Sequence, residues 1–142
     1  MPGEVDWVDG VDVMWWSRRA VAAPMEAVWD LLVDLDAWPQ WGPTVTGSRL
    51  DDGSRILRAG AVGSVRTPVG LWLPFEVTEL ARRPELASWS WSVAGVPATT
   101  HRVRARGAVC VVELGAPWWA PAYWPVLEIG TRRLAALAEG RS

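Results

Sequence analysis

The sequence predicts an α+β domain in which one curved antiparallel sheet of about six or seven strands wraps a long C-terminal helix. Three observations carry that reading. Apolar residues recur at helical spacing over 25–32 and again over 123–137. Between them lies a series of short β-rich segments divided by Gly, Pro or charged turns. No repeat, linker or composition shift interrupts the 142 residues, a length that buries roughly 68–70% of the unfolded chain's surface as one core.

Residues 1–11 are acidic and read as a loose arm, which leaves 12–140 as a single domain. The run "VMWWSRRA" is strand-like. Pro24 stands where a helix can begin, and Met25, Val28, Trp29 and Leu32 then form an apolar face. Asp36 is placed to cap a second, very short helix carrying Trp38, which Gly42-Pro43 ends. Six segments follow: "TVTGSRLD", "AVGSVRTP", "LWLPFEVTEL", "ASWSWSVAG", "TTHRVRARG" and "AVCVVELG". Tight turns between successive segments imply an antiparallel meander. In "SWSWSV", Trp89, Trp91 and Val93 share one face and the serines the other. In "HRVRARG" the three arginines face water, so His101 points with Val103 and Ala105. The last segment aligns Tyr123, Leu127, Gly130, Leu134 and Leu137 on one helical stripe, with Gly140 as a stop.

Composition excludes several functions. Half the residues are hydrophobic and 21% charged, which describes a globular chain. The formal net charge of −2 argues against a nucleic-acid partner, since phosphate binding needs a basic surface. All basic residues are Arg, so no Lys Schiff base or P-loop Lys exists. One cysteine, Cys110, allows no internal disulfide, and one His with one Cys supplies no metal cluster. No cofactor motif is present. The apolar window 107–130 holds Glu113 and Glu128 and is broken by Gly115, Pro117, Pro121 and Pro125, so no integral membrane association is expected. Without a signal-peptide pattern at residue 1, the expected location is the cytoplasm.

The words "APMEAVWDLLVDLDAWPQWGPTV", "RTPVGLWLPFEVTEL" and "ASWSWSVAG", in that order, resemble the SRPBCC superfamily. This is the helix-grip fold of START domains, birch-pollen-allergen-like proteins and aromatic polyketide cyclases; the nearest likeness is to small bacterial polyketide cyclase/dehydrase-like proteins. The resemblance spans about residues 13–139. It implies a cavity between sheet and long helix, closed at one end by the two short helices.

Twelve tryptophans in one small chain suit a wall that stacks on planar apolar ligands, or a core that they fill. The ligand-wall candidates are Trp29, Trp38, Trp41, Phe75, Trp89 and Trp91. "GSVRTP" puts Ser64 and Arg66 on one side of a strand. The resemblance implies for them the Arg–Ser pair with which some cyclases hold ketone oxygens; from the residues alone, a solvated strand Arg reads equally well. His101 is a candidate general acid or base, or a hydrogen-bonded core residue. Tyr123 faces the sheet and either donates into the cavity or packs there, whereas Glu76 faces solvent. The expected function is binding of a hydrophobic aromatic, polyketide-like or lipid-like small molecule in an internal cavity. One alternative is an aromatic polyketide cyclase or dehydratase acting by enolate and carbonyl positioning, with Ser64 and Arg66 placing the chain and His101 or Tyr123 moving the proton. The other is a protein-interaction domain of chaperone-activator type using Trp118 and Trp119. Whether Trp118, Trp119 and Trp124 cap the cavity mouth or meet a partner stays open.

Overall fold

Alternating apolar residues build one eight-stranded sheet in the order β1-β2-β8-β7-β6-β5-β4-β3, every pair antiparallel. The computed structural model describes residues 4–8 and 12–141. Strands β1 (Glu4–Val8) and β2 (Asp12–Val21) precede helix α1 (Met25–Val33), a 3-10 turn (Leu35–Ala37) and the single-turn helix α2 (Trp38–Trp41). Then come β3 (Gly47–Leu50), β4 (Val62–Arg66), β5 (Trp72–Arg82), β6 (Leu86–Val93), β7 (Val96–Arg106) and β8 (Val109–Pro117). A second 3-10 turn (Pro121–Tyr123) leads into α3 (Trp124–Arg141). The short helices carry the chain from β2 to the far edge at β3, and the meander returns until β8 pairs with β2. The long helix α3 packs on β2 and β8. Among the described residues no helix is long and apolar enough to cross a membrane.

Local chemistry explains most boundaries. Pro24 is the N-cap of α1 in an extended conformation, one residue earlier than the helical position expected for it. Met25, Val28, Leu31 and Leu32 form the buried face of α1. The cap of the following 3-10 turn is Asp34, whose side chain accepts from the Asp36 amide (3.0 Å); Asp36 is the partner rather than the cap. Gly42 closes α2 by donating its amide to the Trp38 carbonyl (2.7 Å). Pro125 falls in the first turn of α3, where its missing N–H costs no helical hydrogen bond. Gly140 lies inside α3 and does not end it.

The helix is tied to the sheet by buried polar groups as well as by Leu127, Leu134 and Ala138. Ser17 on β2 donates to Glu128 (2.8 Å) and lies 3.0 Å from the Thr131 hydroxyl, while Arg19 pairs with Glu128. Ser17 and Thr131 are buried, so their mutual satisfaction sets how the helix sits on β2.

Two further expectations need correction. The segment expected as a loose arm contains β1, which pairs with β2 from Glu4↔Trp16 to Val8↔Asp12. Edge pairing is made by backbone groups, so an acidic composition does not forbid it. The arginines of β7 also do more than face water. On the outer face of the sheet, Glu113 of β8 accepts from Arg18 of β2 (2.8 Å) and from Arg102 and Arg104 of β7 (2.7 and 3.1 Å). Arg102 also stacks on Trp16, its guanidinium carbon 4.1 Å from the ring centroid. The Trp16 indole lies flat over Gly115, where a Cβ would meet the ring at 2.8 Å. Gly115→Ala is therefore expected to displace Trp16 and lower stability by about 1–3 kcal/mol, as overpacking does. Thermal unfolding followed by near-UV circular dichroism checks it.

Candidate functional site

Sheet curvature leaves space between the concave face and α3. The pairing of β6 with β7 skips a residue between Ser90 and Ser92, and that of β5 with β6 skips one between Val77 and Glu79. Such bulges bend a strand and increase its twist. Beside them lies a hollow in two adjoining chambers. The outer, open one has a volume of about 350 Å³ and is walled by residues such as Val65, Leu73, Val93, Pro97, Ala116 and Trp119. The inner one, about 60 Å³, is walled by Trp38, Trp41, Trp89, His101, Leu114 and Val126 among others. Thr44, Val45, Trp91, Thr99 and Tyr123 line both and form the collar between them. No Asp, Glu, Lys or Arg lines either chamber.

The tryptophans gathered around α1 and α2 have a structural task beneath the cavity. The last carbonyls of α1 have no intrahelical partners. Indole N–H groups supply them: Trp38 and Trp89 donate to Leu32 (2.9 and 3.1 Å) and Trp41 to Leu31 (3.0 Å). The same rings then stack. Trp38 lies on Trp89 at 5.4 Å and 12°, and Trp89 lies on His101 at 3.8 Å and 15°. Trp91 meets all three edge-on, and Phe75 braces Trp38 and Trp91 from behind.

His101 is 4% exposed. Burial holds its pKa down at about 3, outweighing the Trp89 carbonyl that favours its charged form. The imidazole is therefore neutral, and its protons can be assigned from its partners. Nδ1 faces the Trp89 carbonyl (3.3 Å), which can only accept, so Nδ1 carries the hydrogen. Nε2 is then an acceptor, and the Thr99 hydroxyl at 3.1 Å donates to it. Thr99 Oγ1 in turn accepts from Trp91 Nε1 (2.9 Å). Across the collar, the Tyr123 and Thr44 hydroxyls hydrogen-bond at 2.8 Å.

The structure sorts the expected site residues. Trp38, Trp41, Trp89, Trp91, His101 and Tyr123 all line the hollow. Phe75 is buried behind the wall, and Trp29 packs half-buried against the core without lining either chamber. The Ser64–Arg66 pair is corrected outright. Along β4, Gly63 and Val65 are buried while Arg66 is exposed, so Ser64 and Arg66 occupy the outer face. The reason is register: Gly63 pairs with Phe75 and Val65 with Leu73, and directly opposed residues share a face. His101 has no free ring nitrogen for proton transfer. Trp119 borders the mouth, Trp118 offers its carbonyl to the Trp15 indole (3.0 Å), and Trp124 donates to the Trp16 carbonyl (3.0 Å).

Thr99, Thr44 and Val45 were not anticipated. Thr99 was within reach, because it stands two residues before His101 and shares its face by the same alternation. Thr44 and Val45 lie in a loop, where no period applies. Among the described residues no group of His, Cys, Asp and Glu could hold a metal.

Comparison with known proteins supports this architecture. The model of the family described as polyketide cyclase / dehydrase and lipid transport matches residues 17–139. No curated protein matches the sequence significantly. Among solved structures, a hypothetical protein of Helicobacter pylori superposes with a TM-score of 0.74 at 12% identity, covering 95% of this chain and 96% of that one. A protein from Chromobacterium violaceum gives 0.60 at 21% identity, with 89% and 96% covered. Human STARD10 gives 0.57 at 12% identity, with 96% and 73% covered. At such identities these likenesses concern the fold, which is the helix grip that the sequence words resembled.

Proposed function

The chain belongs to the polyketide cyclase / dehydrase and lipid transport family, and from that premise we propose that it binds a hydrophobic, aromatic or polyketide-like small molecule in the two-chambered hollow. The observation that carries this is an open cavity of about 350 Å³ that reaches an indole-walled inner end, with no charged side chain in its wall. Small-molecule sites typically span about 300–1,000 Å³ and are apolar with a few placed polar groups, here Thr99, Tyr123 and Thr44. Binding is favoured over cyclisation by the chemistry of the wall. The one imidazole is neutral with both nitrogens engaged, and the guanidinium expected to steady an enolate lies outside. Trp119, 53% exposed, is read as rim of the mouth rather than as part of a protein-interaction patch, because it lines the outer chamber.

Titration with N-phenyl-1-naphthylamine, read by its fluorescence and by energy transfer from tryptophan, tests the proposal. Saturable one-to-one binding is expected, with an affinity that stays level between pH 5 and 8. His101, titrating at about 3, remains neutral across that window. Absence of saturable binding would sink the reading.

A further inference from the structure

We propose that the collar selects an uncharged ligand whose hydroxyl donates to Thr99, and that it rejects the matching carboxylate. The inference rests on the binding reading above and concerns the chemical class of what is bound.

Hydrogen-bond accounting at Thr99 carries it. A hydroxyl has one hydrogen and two acceptor positions. The hydrogen goes to His101 Nε2, because Nδ1 must hold the imidazole's own hydrogen to meet the Trp89 carbonyl. One acceptor position takes the Trp91 indole N–H. What remains is a single acceptor position, on a residue that lines both chambers. A ligand O–H satisfies it; a ketone or carboxylate oxygen there would meet lone pair against lone pair.

The Thr44–Tyr123 pair adds the complementary half. One of its two hydroxyl hydrogens is spent between them, and the other is free to donate. The collar therefore offers an acceptor and a donor, the pattern that a hydroxyl can use in both directions. A carboxylate entering the same space gives up its hydration, and no Arg or Lys lines either chamber to replace it. Desolvated charge without a partner is far costlier than a desolvated hydroxyl.

The test uses the intact protein and three ligands of one shape: naphthalene, 2-naphthol and 2-naphthoate, titrated at pH 7.5 by tryptophan quenching. The naphthol is expected to bind about 100-fold tighter than the naphthoate. In Thr99→Val, the ratio of naphthol to naphthalene affinity is expected to fall about fivefold, the worth of one hydrogen bond, and in Thr99→Ser to return. Equal affinity for naphthol and naphthoate overturns the proposal whether or not the Val variant folds. An unchanged naphthol-to-naphthalene ratio in folded Thr99→Val overturns the assignment to Thr99. Binding of none of the three overturns instead the small-molecule reading on which this inference rests.

Discussion

Glu113→Gln is expected to unfold more readily than the parent chain by about 3 kcal/mol, the loss typical when one partner of a buried ion cluster is removed. The carboxylate, its side chain 5% exposed, is shared by Arg18, Arg102 and Arg104 from two flanking strands. Without its charge, three guanidiniums crowd the outer face, and Arg102 is itself largely buried against Trp16. Partial exposure of Arg18 and Arg104 screens them and keeps the figure at the lower end of the range for buried pairs.

The pH dependence follows from the same contacts. Burial alone would raise the Glu113 pKa, but Arg102, Arg18 and Arg104 outweigh it and hold the carboxyl below its ordinary value. A depressed carboxyl contributes stability that is present above the unfolded value of about 4.3 and is lost as pH falls through the folded one. His101, also depressed, adds its own loss, beginning as pH falls below the unfolded value of about 6.5. Urea unfolding of parent and Glu113→Gln from pH 3.5 to 7 separates the two. The difference between them should be constant above about pH 5 and shrink below about 4.3. A difference that does not change with pH would show that Glu113 acts by packing alone.

Val93→Trp is expected to abolish ligand binding while leaving the fold in place. Val93 lines the outer chamber, is half-buried, and ends β6 opposite Phe75 and Val96. An indole there has the chamber's own space to enter, so it fills the cavity without forcing the core apart. Affinity for the naphthylamine probe should fall at least about 50-fold, since the apolar contact area it uses is gone. The midpoint of thermal unfolding should move by no more than a few degrees. Val62→Trp, placed on the exposed outer face of β4, is the control and should bind as the parent does. Unaltered binding by Val93→Trp would place the ligand elsewhere.

Much of the architecture was legible because periodicity is a local property. The two-residue alternation in "SWSWSV" grouped Trp89 with Trp91, and that in "HRVRARG" grouped His101 with Val103; these are the faces that look inward. The helical stripe through Leu127, Gly130 and Leu134 is the buried stripe of α3. Short segments behaved differently. In "GSVRTP" the grouping of Ser64 with Arg66 was right but its direction stayed open, because the five residues of β4 hold too little contrast to set the phase. Pairing of β4 with Phe75 and Leu73 of β5 set it instead. The strand within the acidic N-terminal stretch was likewise invisible, since it depends on backbone groups of β2.

The sequence by itself determined which side chains share a face, which residues cap or end the helices to within a residue or two, and the family to which the chain belongs. Only the tertiary structure decided which face of β4 turns inward, that Glu113 gathers three arginines from neighbouring strands, and that two bulges leave a hollow beside α3. The physical reason is one of range. Alternation and capping are set by residues within a turn or two of each other, whereas phase, register and empty volume are set by strands that meet only after the chain has folded.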